Sequence, residues 1–183
     1  MTAWTNKKFT TVGLHSQRLR LEHFVESCIC DEYLSWLADP EVMRFSNQRF
    51  RQHTVNSARA YVRSFEATPN SFWAIRLVDG QRLIGTMTAY VAEPHLTADM
   101  GLLIGDKANW GRGLGLEAWS TLMAHLFERH GMRKITAGTV RPNVGMTRIM
   151  ERSGMHLEAV RRRQEIVGGV EEDVLYFARF LDR

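Results

Sequence analysis

Three glycines stand within five residues in Trp110-Gly111-Arg112-Gly113-Leu114-Gly115, between an apolar strand-like run, Met100 to Ile104, and a long amphipathic segment, Leu116 to Phe127. Glycine strips side chains from the backbone just where a helix begins, which leaves free N–H groups beside the positive end of the helix dipole. Such a spot suits a bound pyrophosphate. A plain strand-to-helix turn uses the same glycines, so the loop alone does not choose between the two. A Walker A loop ends in Gly-Lys-Ser/Thr, which Leu114-Gly115-Leu116 does not supply. A dinucleotide fingerprint opens an early βαβ unit and has an acid roughly 20 residues on. Here the loop lies past the middle of the chain, and Met132 to Thr136 holds no acid.

Apolar periodicity along the chain predicts alternating strands and helices without repeats or low-complexity linkers. Leu14 to Leu21 reads as a first strand, and Glu26 to Ala38 and Val55 to Glu66 as helices. Ser71 to Leu77 and Leu83 to Tyr90 read as strands joined by a tight turn at Asp79-Gly80. Ala98 to Ile104 is the strand feeding the glycine loop, and Gly111 to Arg129 its helix. Ile135 to Thr139 follows as a strand, then Val144 to Arg152 as a short helix ended by Gly154. His156 to Val167 and Val170 to Phe180 close the chain as an antiparallel pair turning at Gly168-Gly169. The order predicts a mixed sheet, antiparallel at first and parallel near the loop.

With 183 residues, 44% hydrophobic and 24% charged, the chain suits one globular domain with a proper core. No apolar run approaches the roughly 18 residues of a membrane span, and Met1 to Lys8 lacks a signal-peptide stretch. Cys28 and Cys30 are too close to staple much and no Cys/His set has metal spacing, so a reducing, cytoplasmic setting and no metal are expected. The net charge of +4 is uneven. Arg129, Arg133, Lys134, Arg141, Arg148, Arg152, Arg161, Arg162 and Arg163 face only Glu128, Glu151 and Glu158 in the same stretch. This is either a solvated basic surface or a wall for a phosphorylated ligand. The run Arg161-Arg162-Arg163 also suits an acidic substrate or RNA, but no interleaved aromatics support a nucleic-acid stripe.

Asp99 to Met155 resembles the coenzyme A core of the GNAT superfamily of N-acetyltransferases. In the RimJ/RimL-like (ribosomal-protein-type) branch the loop reads Trp-Gly-x-Gly-x-Ala/Gly-x-Glu-Ala, and this chain has Trp110-Gly111-Arg112-Gly113-Leu114-Gly115-Leu116-Glu117-Ala118. The downstream pattern Asn-x-x-Ser/Ala-x-x-x-Tyr-x-x-x-Gly-Phe reads Asn143, Met146, Met150, Gly154 and Met155. Ser16-Gln17-Arg18-Leu19-Arg20-Leu21 and Trp36-Leu37-Ala38-Asp39-Pro40 also resemble that branch, so the likeness runs over residues 14 to 181. It implies an α/β GNAT fold: a central, mostly antiparallel sheet of about seven strands, flanked by helices, with a splayed pair holding coenzyme A. One domain over residues 1–183, with its motif core at 98–155, would carry an acetyl group from acetyl-CoA to a primary amine by direct attack in a ternary complex. The amine would belong to a small molecule or a protein N-terminus.

The resemblance also assigns positions. Backbone groups of Leu102, Leu103 and Ile104 would bind the pantetheine arm and acetyl carbonyl. Trp110, Gly111, Arg112, Gly113, Leu114, Gly115 and Leu116 would cradle the pyrophosphate, and Arg148 belongs to the basic wall beside it. Asn143 follows Pro142 in a good helix N-cap position, and by resemblance its side chain also reaches the cofactor. Acyl transfer further needs a neutral amine and stabilisation of the oxyanion. Asp99, where the branch often carries Glu, is either the general base or a surface strand acid; Glu93 and His95 are weaker alternatives. Many relatives place a Tyr at the Met150 position to protonate the leaving thiolate, and some a Ser at Met146. Methionine only packs. Either coenzyme A leaves as a thiolate aided by backbone dipoles or another hydroxyl substitutes, and Tyr176 is the candidate.

Trp36, Phe45, Phe50, the Glu93–Thr97 loop and the final hairpin are candidates for the acceptor pocket, or simply for core. Like-charge repulsion makes polyamines poor acceptors for a basic protein. Amino-sugar nucleotides, or small amines bearing a carboxylate or phosphate, suit it better. A homodimer is a further possibility. The loss of both Ser and Tyr leaves a second class open, a coenzyme A-binding sensor or interaction module without turnover.

Overall fold

Phe72, Trp73, Ala74 and Ile75 are all buried, although successive strand residues point to opposite faces. A strand buried on both faces must lie in the middle of a sheet covered on two sides. The computed structural model, which describes residues 13–181, has that arrangement. Its strands are β1 (Leu14–His15), β2 (Leu19–His23), β3 (Ser71–Leu77), β4 (Leu83–Ala92), β5 (Thr97–Ile104), β6 (Lys134–Val140), β7 (His156–Val167) and β8 (Val170–Phe180). They form one eight-stranded sheet in the order β1-β2-β3-β4-β5-β6-β8-β7. The helices are α1 (Asp31–Ala38), α2 (Val55–Arg63), α3 (Leu114–Glu128) and α4 (Val144–Arg152).

One core joins Trp73 and Ile75 to α3 and α4. The other joins Phe72 and Ala74 to α1 and α2. Helix α3 buries Leu114, Ala118, Trp119, Leu122, Met123, Leu126 and Phe127, an apolar stripe of helical period.

Every neighbouring pair is antiparallel except β5–β6, which is parallel. That pair holds register only over Thr97↔Lys134, Ala98↔Ile135 and Asp99↔Thr136. On its other side β5 stays paired with β4 from Thr97 to Ile104. The edge of β5 facing β6 therefore loses its strand neighbour from Met100 onward, and the sheet opens there.

Three boundaries differ from the sequence expectation. Leu14 to Leu21 is not one strand: it folds back as β1 and β2, with Leu14 opposite Leu21, and makes eight strands of the expected seven. Ser16 drives the reversal, its N–H donating to the Leu19 carbonyl while its hydroxyl accepts from the Leu19 N–H. Glu26 to Ala38 breaks into a single 3₁₀ turn, Glu26–Cys28, and then α1. Cys28, Tyr33 and Trp36 all enter the same core, whereas one straight helix would set Cys28 and Tyr33 about 140° apart around its axis. Finally, α3 begins at Leu114 rather than Gly111, because Gly111 and Gly113 take left-handed φ of 72° and 77°.

Candidate active site

Gly113 is the N-cap of α3, and no side chain caps the helix. The first helical bond runs from Glu117 N–H to Gly113 O, 3.1 Å. The amides of Leu114, Gly115 and Leu116 precede it and point out of the helix end, where an anion is favoured. A Cβ on Gly111 would meet nothing within 4 Å, so the space in front of the loop is clear. Gly115 is different: its Cβ would lie 3.0 Å from Ile149 Cδ1 and 3.4 Å from Leu102 Cδ2. Its small size lets α3 close on β5 and α4.

The loop is held from outside by polar groups that the sequence analysis missed. Glu117 accepts from Ser16 Oγ, Arg18 N and Arg18 Nε, each at 2.7 Å. Partial burial pushes its carboxyl up, but these three bonds outweigh that and hold it below the usual carboxylate range. Arg18 also donates to the Arg112 carbonyl at 3.0 Å, so the β1–β2 turn clamps loop and helix together. On the other side a chain runs from Arg82 to Asp106, on to Asn109 and to the Arg112 guanidinium. Trp110 is pinned back onto β5, its indole N–H donating to Ile104 O at 2.7 Å, so that carbonyl is already engaged. Serine-x-arginine in a turn and glutamate in a distant helix give no joint signal in sequence.

Glu117→Ala should leave three donors without their acceptor and cost about 1–3 kcal/mol. Calorimetry would register the loss. Hydrogen exchange should show the first bonded amides of α3, at residue 117 and just after it, deprotected while the C-terminal half of α3 keeps its protection.

Where β5 and β6 part, a cleft of about 270 Å³ is lined by Phe45, Asn47, Asp99, Gly138, Thr139, Val140, Glu165, Val174 and Tyr176. Asp99 and Tyr176 thus share one cleft, and the register explains why. Asp99 pairs with Thr136 on β6, and Gly138, two residues on and on the same face, pairs with Tyr176 on β8. Two strand spacings and a two-residue step put their Cα atoms roughly 12 Å apart, leaving room between the side chains. A Cβ on Gly138 would stand 3.1 Å from Tyr176 Cε1, so the missing side chain lets the ring lean across β6. The Arg161 guanidinium lies over that ring, 4.8 Å from its centroid.

Asp99 accepts from Thr136 Oγ1 at 2.7 Å. Its side chain lines the cleft and is reached by solvent. The surrounding protein raises its carboxyl above the ordinary aspartate value, against the opposing pull of the Thr136 bond. A carboxylate so placed is a better proton acceptor than a surface one.

Asn143 caps α4, its Oδ1 accepting from Met146 N at 3.3 Å while its Nδ2 donates to Thr139 Oγ1 at 3.0 Å. The cap therefore ties α4 to a wall of the cleft. Leu102 and Ile104 pack toward α3, and Leu103 faces the α1/α2 side. Arg148 is exposed on α4.

Met150 is fully buried in the α3-side core and lines neither described pocket. A hydroxyl there would meet core atoms, so Met150→Tyr should destabilise the protein by about 1–3 kcal/mol through overpacking. Chemical denaturation would measure that cost, and turnover should not rise. On the expected acceptor side, Phe45 and Tyr176 of the final hairpin line the Asp99 cleft, whereas Trp36 and Phe50 line neither pocket. Trp36 is core and lies on Gly105, whose Cβ would fall within 2.0 Å of the indole. Phe50 is 73% exposed under Arg49. Glu93 and His95 sit in a short 3₁₀ turn that borders neither pocket.

Residues 18–156 match the family model described as an acetyltransferase (GNAT) domain. The probable N-acetyltransferase YjcK of Bacillus subtilis (strain 168) is 30% identical over 115 residues, 62% of this chain. The chain spans 63% of the length of that relative. Among solved structures, a GNAT-family acetyltransferase from Bacillus anthracis superposes with a TM-score of 0.77 at 19% identity, covering 92% of this chain and 98% of that one. The ribosomal-protein α-N-acetyltransferase RimL, solved in complex with coenzyme A, gives a TM-score of 0.81 at 16% identity, over 93% and 99%. A chimeric spermidine N-acetyltransferase, of Vibrio cholerae SpeG and hSSAT, gives 0.76 at 14%, over 88% and 95%. Enzymes named for such different acceptors share this fold, so the fold does not choose the acceptor. The sheet that parts beside an uncapped glycine-rich helix end, together with a family model spanning residues 18–156, places the chain in the GNAT acetyltransferase family.

Proposed function

We propose that this chain is an N-acetyltransferase of the RimJ/RimL-like branch, transferring an acetyl group from acetyl-CoA to a primary amine in a ternary complex within one domain. One observation carries the reading: β5 and β6 part beside the uncapped N-terminus of α3, and Asp99 and Tyr176 stand in the cleft that opens there. The residues present fit the cosubstrate. The Leu114, Gly115 and Leu116 amides and the side-chain-free loop at Gly111 and Gly113 would hold its pyrophosphate, with Trp110, Arg112 and Arg148 nearby. The unpaired edge of β5 at Leu102 and Leu103 would hold the arm, with Asn143 at the far wall.

Acetyl-CoA supplies a thioester, an acyl group already activated for attack by an amine. Asp99 takes the proton of the attacking amine at Oδ1 or Oδ2, with Thr136 orienting the carboxylate. The exposed backbone N–H groups of β5 face the developing oxyanion. Tyr176 returns a proton to the departing sulfur, its ring set by Gly138 and Arg161. Met150 is in the core, so the missing family tyrosine takes nothing away from this cleft. The free thiols Cys28 and Cys30 accord with a cytoplasmic setting.

Release of free thiol from acetyl-CoA over an amine panel tests the reading. Binding without release for every amine would favour a coenzyme A-binding module instead. Tyr176→Phe removes a hydroxyl and little else, and should lower kcat at least about tenfold at unchanged thermal midpoint. An unchanged kcat would leave backbone dipoles and solvent as the way the thiol departs.

A further inference from the structure

A second pocket, about 330 Å³, lies on the same face of β5 as the Asp99 cleft. Gly101 and Leu103 line it, and Asp99, two residues before Gly101, lines the cleft. The segment over them divides the two spaces: Met43, Ser46 and Gln48 line the pocket, while Phe45 and Asn47 line the cleft. The floors of the two are therefore about 7 Å apart along one strand.

Their charges are opposite. The cleft carries Asp99 and Glu165, and neither has an ion-pair partner among the described residues. The pocket wall contains Arg51 and His53 and no carboxylate, and Arg51 likewise has no ion-pair partner among the described residues. Most other cationic side chains near the loop and α1 are paired, as Arg18, Arg82 and Lys107 are. His53 Nε2 donates to the Gln48 carbonyl at 2.9 Å, which fixes its ring. The Tyr61 and Tyr90 hydroxyls meet at 2.9 Å, and burial, with that bond, pushes the Tyr61 phenol well above its usual range. The Tyr61 hydroxyl thus offers a neutral hydrogen bond, and Arg51 brings a positive charge to a wall without carboxylates.

Building on the acetyl-transfer reading, we propose that this pocket receives an anionic group of the acceptor, a carboxylate or phosphate a few bonds from the reacting amine, with Arg51 as its counter-ion. The amine is drawn to Asp99 and Glu165, the anion to Arg51, and the two attractions set which end of the acceptor meets the acetyl group. A polyamine would place a second cation beside Arg51 with no carboxylate to receive it.

The test uses the full chain, acetyl-CoA and acceptors matched in skeleton, with rates corrected for the free-amine fraction. The pairs are γ-aminobutyrate against its amide and phosphoethanolamine against ethanolamine, with spermidine as the polycation. The anionic member should have about tenfold higher kcat/KM, chiefly through KM, as one charge-assisted contact allows. Which pair shows the larger ratio separates carboxylate from phosphate. Arg51→Gln should collapse the ratio, Arg51→Lys should retain part of it, and Arg129→Gln, with the same loss of charge elsewhere, should preserve it. Wild-type preference for the neutral or polycationic acceptors, or a ratio that survives Arg51→Gln, overturns the inference alone. Acetyl-CoA binding with no thiol release for any amine overturns the acetyl-transfer reading and the inference with it.

Discussion

Asp99→Asn is expected to lower kcat at neutral pH by about 10²-fold, the low end of the 10²–10⁴ that a general base contributes. Acetyl-CoA affinity should hardly change. The low end is favoured because solvent reaches the cleft and a water chain can share the proton. Only the ionised carboxylate accepts a proton, and crowding by protein raises the carboxyl of Asp99 above the ordinary aspartate value while Thr136 opposes the shift. In the wild type the acidic limb of the pH–rate profile should therefore lie higher than for a free aspartate, with activity lost as pH falls through the raised value. In Asp99→Asn that limb should vanish, and the deficit should shrink as pH rises and free amine becomes abundant. Steady-state rates from pH 4 to 9 check all three features. Near wild-type rates across that range would make Asp99 a strand acid and put the base elsewhere.

Gly113→Glu should abolish measurable acetyl-CoA binding while the protein stays folded. Gly113 has φ of 77° and leads directly into the amides of Leu114, Gly115 and Leu116. A glutamate side chain would fill the space in front of them and bring a negative charge to the place a pyrophosphate needs. The structural cost is modest: the nearest atom to a Cβ is Arg18 Nη2 at 3.7 Å, and a left-handed non-glycine residue costs roughly 1–2 kcal/mol. Gly115→Glu looks equivalent in sequence but is a poorer test. Its Cβ would press on Ile149 and Leu102, so loss of binding there would mix with a shift of α3 from β5. Titration calorimetry on Gly113→Glu, with circular dichroism to verify the fold, decides the matter. Unchanged affinity in a folded variant would remove the loop from the cofactor site.

The parts legible in sequence were those whose physics is local. The stripe from Leu116 to Phe127 declares a helix lying on a core, although the left-handed glycines at 111 and 113 delay its start to Leu114. Pro142-Asn143 marks the start of α4, and Gly154, at φ 81°, its end. Turns at Asp79-Gly80 and Gly168-Gly169 follow from the same backbone preferences. Each depends on a residue and its near neighbours, and the ordered motifs then supplied the family expectation.

What only the tertiary structure decided depends on contacts between residues far apart in the chain, which no periodicity encodes. Asp99 and Tyr176 meet in one cleft because β6 lies between β5 and β8 and Gly138 clears the path for the tyrosine ring. The clamp from Ser16 and Arg18 to Glu117 spans about a hundred residues, and the same serine turns an expected single strand into two. Met150 goes to the core because α4 packs on α3, and Arg51 enters a pocket beside β5 because the segment after α1 folds over the sheet. Local hydrogen bonding and apolar pattern make the elements. Pairing register and the burial of opposite helix faces decide which of their side chains share a site.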